Sequence, residues 1–456
     1  LGYKTSALLN SSAYLWLMTS IKTAATQLTA LPIFVGPVLT SNHGFNPIKV
    51  GKALAKSMAI FGTSGIRRQA KDGSTTFEFP SYLNNGLIKL TEDQKLAAQY
   101  MADRGISDNT LAYDLGNRRD TPTSKLEGTT LRTIRSASNV MTSLFHHSER
   151  MIREVTFMTS YDMYSKEINK ETGKKYTHEE ALRAAEAETH EALGNYHASN
   201  RPRGLLANAE REVVLDAQKP IGRTILQFKM FPTFVTTFFI RNAYRALAGL
   251  DAQDRAKAMT QLVGTLTMST ALAGYVGIPG ATMAMGAIQG MMNAMRGDDE
   301  DDPLEGRDLE FWFRNIWLPQ TFGNIKIGDH TLDEVLDRGL IATMTGYDIS
   351  GSLSMNNMWV PDVKEQATSA AAMQEYFMSL LGPSASIMFK QIPNAIDTLN
   401  RGEILKGIEQ LSPAFVRGSL TAYRYSQEGA TTTSGAVIKE AEEFTKGQLL
   451  AQSMGF

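Results

Sequence analysis

The chain has 456 residues, with 46 Lys+Arg against 47 Asp+Glu, 43% hydrophobic residues and no cysteine. Roughly two to four domains with real cores fit that length and apolar content, and a disordered chain is excluded. A net charge of −1 excludes a global basic field that would hold nucleic acid by counterion release, and the missing cysteines exclude disulfides, thiolate metal sites and Cys nucleophiles.

The chain begins at Leu1 and carries no signal-peptide head, which we read as a segment of a longer polypeptide. Between Thr5 and Ile48 the only formal charge is Lys22. The run predicts a helix over 12–31, with Pro32 and Pro37 breaking it into a bent apolar stretch. It suits either a core helix or a segment that later meets lipid. Residues 60–85 are rich in Gly, Ser and Thr and read as a loop or small irregular subdomain.

Thr91-Glu92-Asp93-Gln94 is a capping box that opens a short surface helix, and Gly105 fits the left-handed position after it. From Thr129 to Tyr164 apolar residues recur at helical spacing, predicting one long amphipathic helix. Its other stripe collects Arg132, Arg135, Arg150 and Arg153, either a solvated face or a surface turned toward DNA phosphates. Thr177-His178-Glu179-Glu180 caps an Ala- and Glu-rich helix expected to face solvent. A zinc motif starting at His190 fails, because position 194 is Gly where the second His would stand.

Residues 225–247 hold five Phe and Pro232, and suit a strand, a buried helix or an interfacial segment. Residues 258–295 carry no formal charge over 38 positions. They read as two apolar helices joined at Pro279-Gly280, the first long enough to approach the ~30 Å of a bilayer core. Gly264, Ala273, Gly286 and Gly290 are small residues that let helices approach closely, so this hairpin is the candidate membrane-inserting element.

The acidic run 298–302 lacks the alternating spacing of a calcium loop. Phe311, Trp312, Phe313 and Trp317 form an aromatic group suited to a lipid interface or to capping a core. A β-hairpin is expected around Gly328-Asp329, then a helix capped by Thr331 and ending near Gly339. Helical periodicity resumes over 366–411, and the tail reads as a helix, a Gly/Thr-rich turn and a final helix. The expected fold is mainly α: an extended, oligomeric multi-helix assembly with an apolar hairpin and a minor β-hairpin. Its regions are 1–86 (apolar helix and irregular loop), 87–218 (amphipathic and charged helices), 219–296 (apolar hairpin) and 297–456 (mixed helical). No nucleotide loop, nucleophile elbow or metal-spaced His cluster is present, so neither a catalytic residue nor a cofactor is expected.

The stretch DRGLIATMTGYDISGSLSMNNMWVP at 337–361, with AYRYSQEGATTTSGAVI at 422–438 and the closing QSMGF, resembles the carboxyl-terminal parts of giant phage internal virion (ejection) proteins and large polyvalent, PLxRFG-like proteins. The resemblance covers about the last third of the chain. It implies a protein stored in the virion interior and ejected with the genome into the host envelope, where it helps form a conduit for DNA. The implied partners are further copies of itself, other core, ejection or portal proteins, phage DNA and the host membrane. Two alternatives stand beside it: a static core protein near the portal, and part of a larger peptidoglycan-cleaving or polymerase polypeptide.

Overall fold

The structure, a computed structural model, describes residues 20–61, 66–69, 75–78, 90–107, 129–169, 172–194, 230–278, 309–353, 391–431 and 437–455, with single positions between them. The described chain is mainly helical. Its contacts form two compact units, Leu1–Leu262 with Pro383–Phe456, and Val263–Gly382. This division differs from the four consecutive regions above, because the final helices belong to the same unit as the first ones.

In the first unit, α1 (Ile21–Leu28), a π-helical turn (Leu31–Val35) and α2 (Gly36–Asn42) make one continuous helix. Pro32 and Pro37 do not break it, which corrects the expectation from sequence. In the widened turn the Gly36 N–H reaches back five residues to the Leu31 carbonyl, and the chain enters Pro37 without the usual clash one turn earlier. Residues 31–41 are buried on nearly every side, as a core helix requires.

After α3 (Pro47–Phe61), the stretch read as irregular contains an antiparallel hairpin, β1 (Ile66–Gln69) and β2 (Thr75–Glu78), with Ile66 opposite Glu78. Next, α4 (Glu92–Asp103) starts with the expected capping box and is followed by Gly105 at φ 64°. The spine is α5 (Thr129–Tyr164), the single 36-residue helix that periodicity predicts, against which α1, α3, α4 and α6 (His178–Leu193) pack. Phe145, Ile152, Val155, Phe157 and Met158 supply its buried side. The capping box at Thr177 is present, yet α6 is not a solvent-facing helix: Ala181, Leu182, Ala185, Glu188, Thr189, Ala192 and Leu193 are buried. Alanine is small enough for α6 to lie close on α5, and so an Ala/Glu pattern conceals an inner face.

The segment around Pro232 resolves as a helix, α7 (Met230–Ala248), followed after three residues by α8 (Ala252–Ala273). In the second unit, α8 ends at Gly274, with φ 71°, and a 3-10 turn covers Tyr275–Gly277. This stop comes before the expected Pro279-Gly280 turn. Pro279, Gly280, Gly286 and Gly290 lie outside the described residues, as does the acidic run.

Further along, α9 (Leu309–Trp312), a second π-turn (Phe313–Trp317) and α10 (Leu318–Phe322) repeat the earlier device: the Leu318 N–H reaches the Phe313 carbonyl just before Pro319. The expected hairpin is formed by β3 (Lys326–Ile327) and β4 (His330–Thr331). It leads into α11 (Leu332–Thr345), which is interrupted at Gly339 (φ 83°, ψ 159°) and ends at left-handed Gly346. The helix thus continues past its expected end near Gly339. Asp348 Oδ1 accepts the Ser350 N–H at 2.7 Å and starts α12 (Ser350–Leu353).

Back in the first unit, α13 (Ile392–Asn400), α14 (Ile404–Leu411) and α15 (Ala414–Glu428) pack in succession. A short ladder of β5 (Ala430–Thr431) and β6 (Val437–Lys439) then leads to α16 (Lys446–Ser453). The Lys22 N–H meets the Met454 carbonyl at 3.3 Å, joining the end of the chain to α1.

Candidate functional site

The first unit encloses a charged cluster where α2, α5 and α6 meet. His43, just after α2, is fully buried, and both ring nitrogens face carboxylates: Nδ1 lies 2.9 Å from Glu167 and Nε2 lies 3.0 Å from Glu188. Burial alone would lower its pKa, but the two carboxylates outweigh this and raise it from 6.5 to about 9. Both nitrogens therefore donate, and the ring is an imidazolium. Glu167 is held below its ordinary value: burial opposes this, but hydrogen bonds from His43 and Lys49 prevail. Glu188 also accepts from Ser160 and, at 2.9 Å, from the Asn42 amide. Tyr164 lies edge-on to the imidazole at 4.6 Å, and its hydroxyl pKa is raised by burial and by Glu188.

One turn beyond Glu188, Glu191 accepts from Asn42 (3.4 Å), Gln261 of α8 (3.2 Å) and Arg241 of α7 (3.4 Å), with Arg245 at 3.7 Å. Gln261 is fully buried and also donates to Ser41 at 3.0 Å. Arg245 in turn binds Asp254, joining α7 to α8. With both ring nitrogens of His43 paired to carboxylates and Glu191 reached from α7 and α8, the cluster ties the helices together. Among the described residues no group of three or more His, Asp or Glu has the arrangement of a metal site.

Arg150 and Arg153 depart from the DNA-facing expectation. Both are buried. The Arg150 Nε donates to Glu154 at 2.6 Å, and Arg153 donates to the Gly194 and Leu193 carbonyls at 3.1 and 3.3 Å. A guanidinium that satisfies the carbonyls ending α6 also meets the negative end of its dipole, so the arginines turn inward. Arg132 and Arg135 fall on the same helix, with side chains outside the described residues.

The other feature is the polarity of α8. Its buried positions are Ala258, Gln261, Thr265, Ser269 and Ala273, small or polar, whereas Met259 (47% exposed), Val263 (50%) and Met268 point outward. Gly264 is half-buried beside them. On α7 the apolar Val235 and Phe238 are buried, and Ile240 (65%), Tyr244 and Leu247 (84%) form an outward stripe at helical spacing. Ala273 does sit at a close approach, as a small residue should: a Cβ on Gly339 would fall 2.4 Å from its backbone. Among the described residues that neighbour is a later segment of the chain.

Charge-free α8 covers residues 258–273, about 24 Å at ~1.5 Å per residue, which is short of a ~30 Å hydrocarbon core. Among the described residues the one helix long and apolar enough to cross a membrane is Ile21–Asn42, 22 residues with mean hydropathy 1.3, and much of it is core. In the aromatic group, Phe313 stacks on Trp317 at 5.1 Å while Phe311 and Trp312 stay exposed. No protein-family model, curated protein or solved structure matches the chain.

Sequence reasoning missed His43, Glu167, Glu188 and Glu191. The available signal was a single histidine at the end of an almost uncharged 44-residue run, where a buried cation calls for carboxylates from elsewhere.

Proposed function

We propose that the chain is a segment of a bacteriophage internal virion protein, stored inside the capsid, ejected with the genome, and active as a homo-oligomer in a conduit across the host envelope. Other core, ejection or portal proteins are its partners in the particle. The observation that carries this reading is the polarity of α8, with Gln261, Thr265 and Ser269 inside and Met259 and Val263 outside on one face. Such a helix gains from being covered, by a neighbouring subunit in the particle or by lipid headgroups and acyl chains after release; each half-exposed outward side chain contributes roughly 1 kcal/mol when the rest of it is buried. At this length α8 lies along an interface and does not span a bilayer. The resemblance of the last third to phage ejection polypeptides agrees with this role. The DNA-facing part of the reading rests on Arg132 and Arg135 alone.

Mass spectrometry of particles before and after triggered genome release tests the proposal. The chain is expected to be lost from the emptied particles together with the DNA. Full retention in the emptied particles would assign it to a static inner core instead.

A further inference from the structure

The arm formed by α7 and the start of α8 is tied to the helical body in an unusual way. Its apolar foot is small: Phe234 and Phe238 meet Phe34 at ring distances of 6.1 and 5.9 Å, and Phe234 lies against Gly194. Beside a hydrogen bond from Gln261 to Ser41, its polar ties converge on one carboxylate, Glu191, which meets Arg241, Arg245 and Gln261 from the arm and Asn42 from the body. The seam is also imperfect, since the Asn242 Nδ2 and the Gln261 Oε1 are buried without a partner among the described residues. Buried groups in that state cost free energy that water restores when the seam opens. Meanwhile the outer side of the arm is apolar, at Ile240, Tyr244 and Leu247.

We propose that Glu191 is a latch: it clasps the 230–262 arm to the body, and breaking its contacts frees the arm to swing out while α5 and α6 stay folded. This rests on the ejection reading above and deepens it by naming the contact that keeps the apolar arm stowed. A partly exposed carboxylate, 25% open to solvent, suits such a role because its ion pairs weaken with salt. A sealed apolar seam would respond in the opposite sense.

Hydrogen exchange of the intact chain, read by peptide, tests the latch without any membrane. Glu191→Gln is expected to speed exchange in 230–262 about tenfold or more, with α5 and α6 as protected as before. Arg241→Ala, which removes one exposed donor and strands no buried charge, is expected to give a smaller increase in the same peptides. In the unmutated chain that exchange is expected to rise between about 0.05 and 1 M salt, and in Glu191→Gln to respond little. Unchanged exchange in the arm, or an equal rise across α5 and α6, overturns the latch. Retention of the chain in emptied particles would overturn the ejection reading and leave these exchange results standing.

Discussion

Two carboxylates face the two ring nitrogens of His43, and the sign of its contribution to stability follows. Its folded pKa of about 9 lies above the ordinary 6.5, so the folded chain keeps a proton that the unfolded chain gives up between those values. The contribution is complete below about pH 6.5 and is lost as pH rises through about 9. Its upper bound is roughly 3 kcal/mol, at ~1.4 kcal/mol per pH unit of displacement. Glu167 works the other way: its pKa is lowered, so its support is present above the ordinary carboxylate range and fades on acidification. We expect the urea midpoint of the native chain to fall between pH 6.5 and 9.5, and His43→Gln to flatten that fall. The variant also leaves the buried Glu188 without its cation, lowering neutral-pH stability by roughly 3–5 kcal/mol. An unchanged alkaline slope in the variant would show that the imidazolium is not the titrating group. None of this cluster was legible locally, because His43 and Glu188 are 145 positions apart and Glu188 sits in what reads as a solvated Ala/Glu helix.

Among the elements, those set by neighbouring residues were readable: α5 by its periodicity, α4 and α6 by capping boxes, and the β3–β4 hairpin by Gly328 at φ 64°. The elements that escaped are set by distant contacts or by an alternative hydrogen-bond register. Pro32 and Pro37 look like breaks until a π-turn supplies the longer register. The stop of α8 at Gly274 is likewise tertiary, because a Cβ there would lie 2.1 Å from the Asp337 carbonyl oxygen. Facing it, Gly339 has φ 83° and presses on the Ala273 backbone, so both a side chain and its backbone strain are excluded. Gly339→Ala should destabilise the second unit by roughly 3 kcal/mol or more. Gly346 also has positive φ but open space around it, and its change to Ala should cost only about 1–2 kcal/mol. Limited proteolysis with chemical denaturation compares the two; equal losses would mean that the close approach at Ala273 contributes nothing.

For the whole molecule, the composition foretold a helical protein without disulfides; of the expected apolar element the first helix is described, ending at Gly274, while most of the second arm lies outside the described residues. The core of the described chain is largely apolar, but on α8 Gln261, Thr265 and Ser269 are buried while Met259 and Val263 lie outside. On the function proposed above, that outer face is covered in the working state. A single thiol at Val263→Cys reports it, because the natural chain has no cysteine. Labelled there with a polarity-sensitive nitrobenzoxadiazole dye, the chain should show blue-shifted emission, protected from aqueous iodide, either in the homo-oligomer proposed above or on phosphatidylglycerol-containing vesicles. Water-like emission, freely quenched by iodide in both, would contradict it.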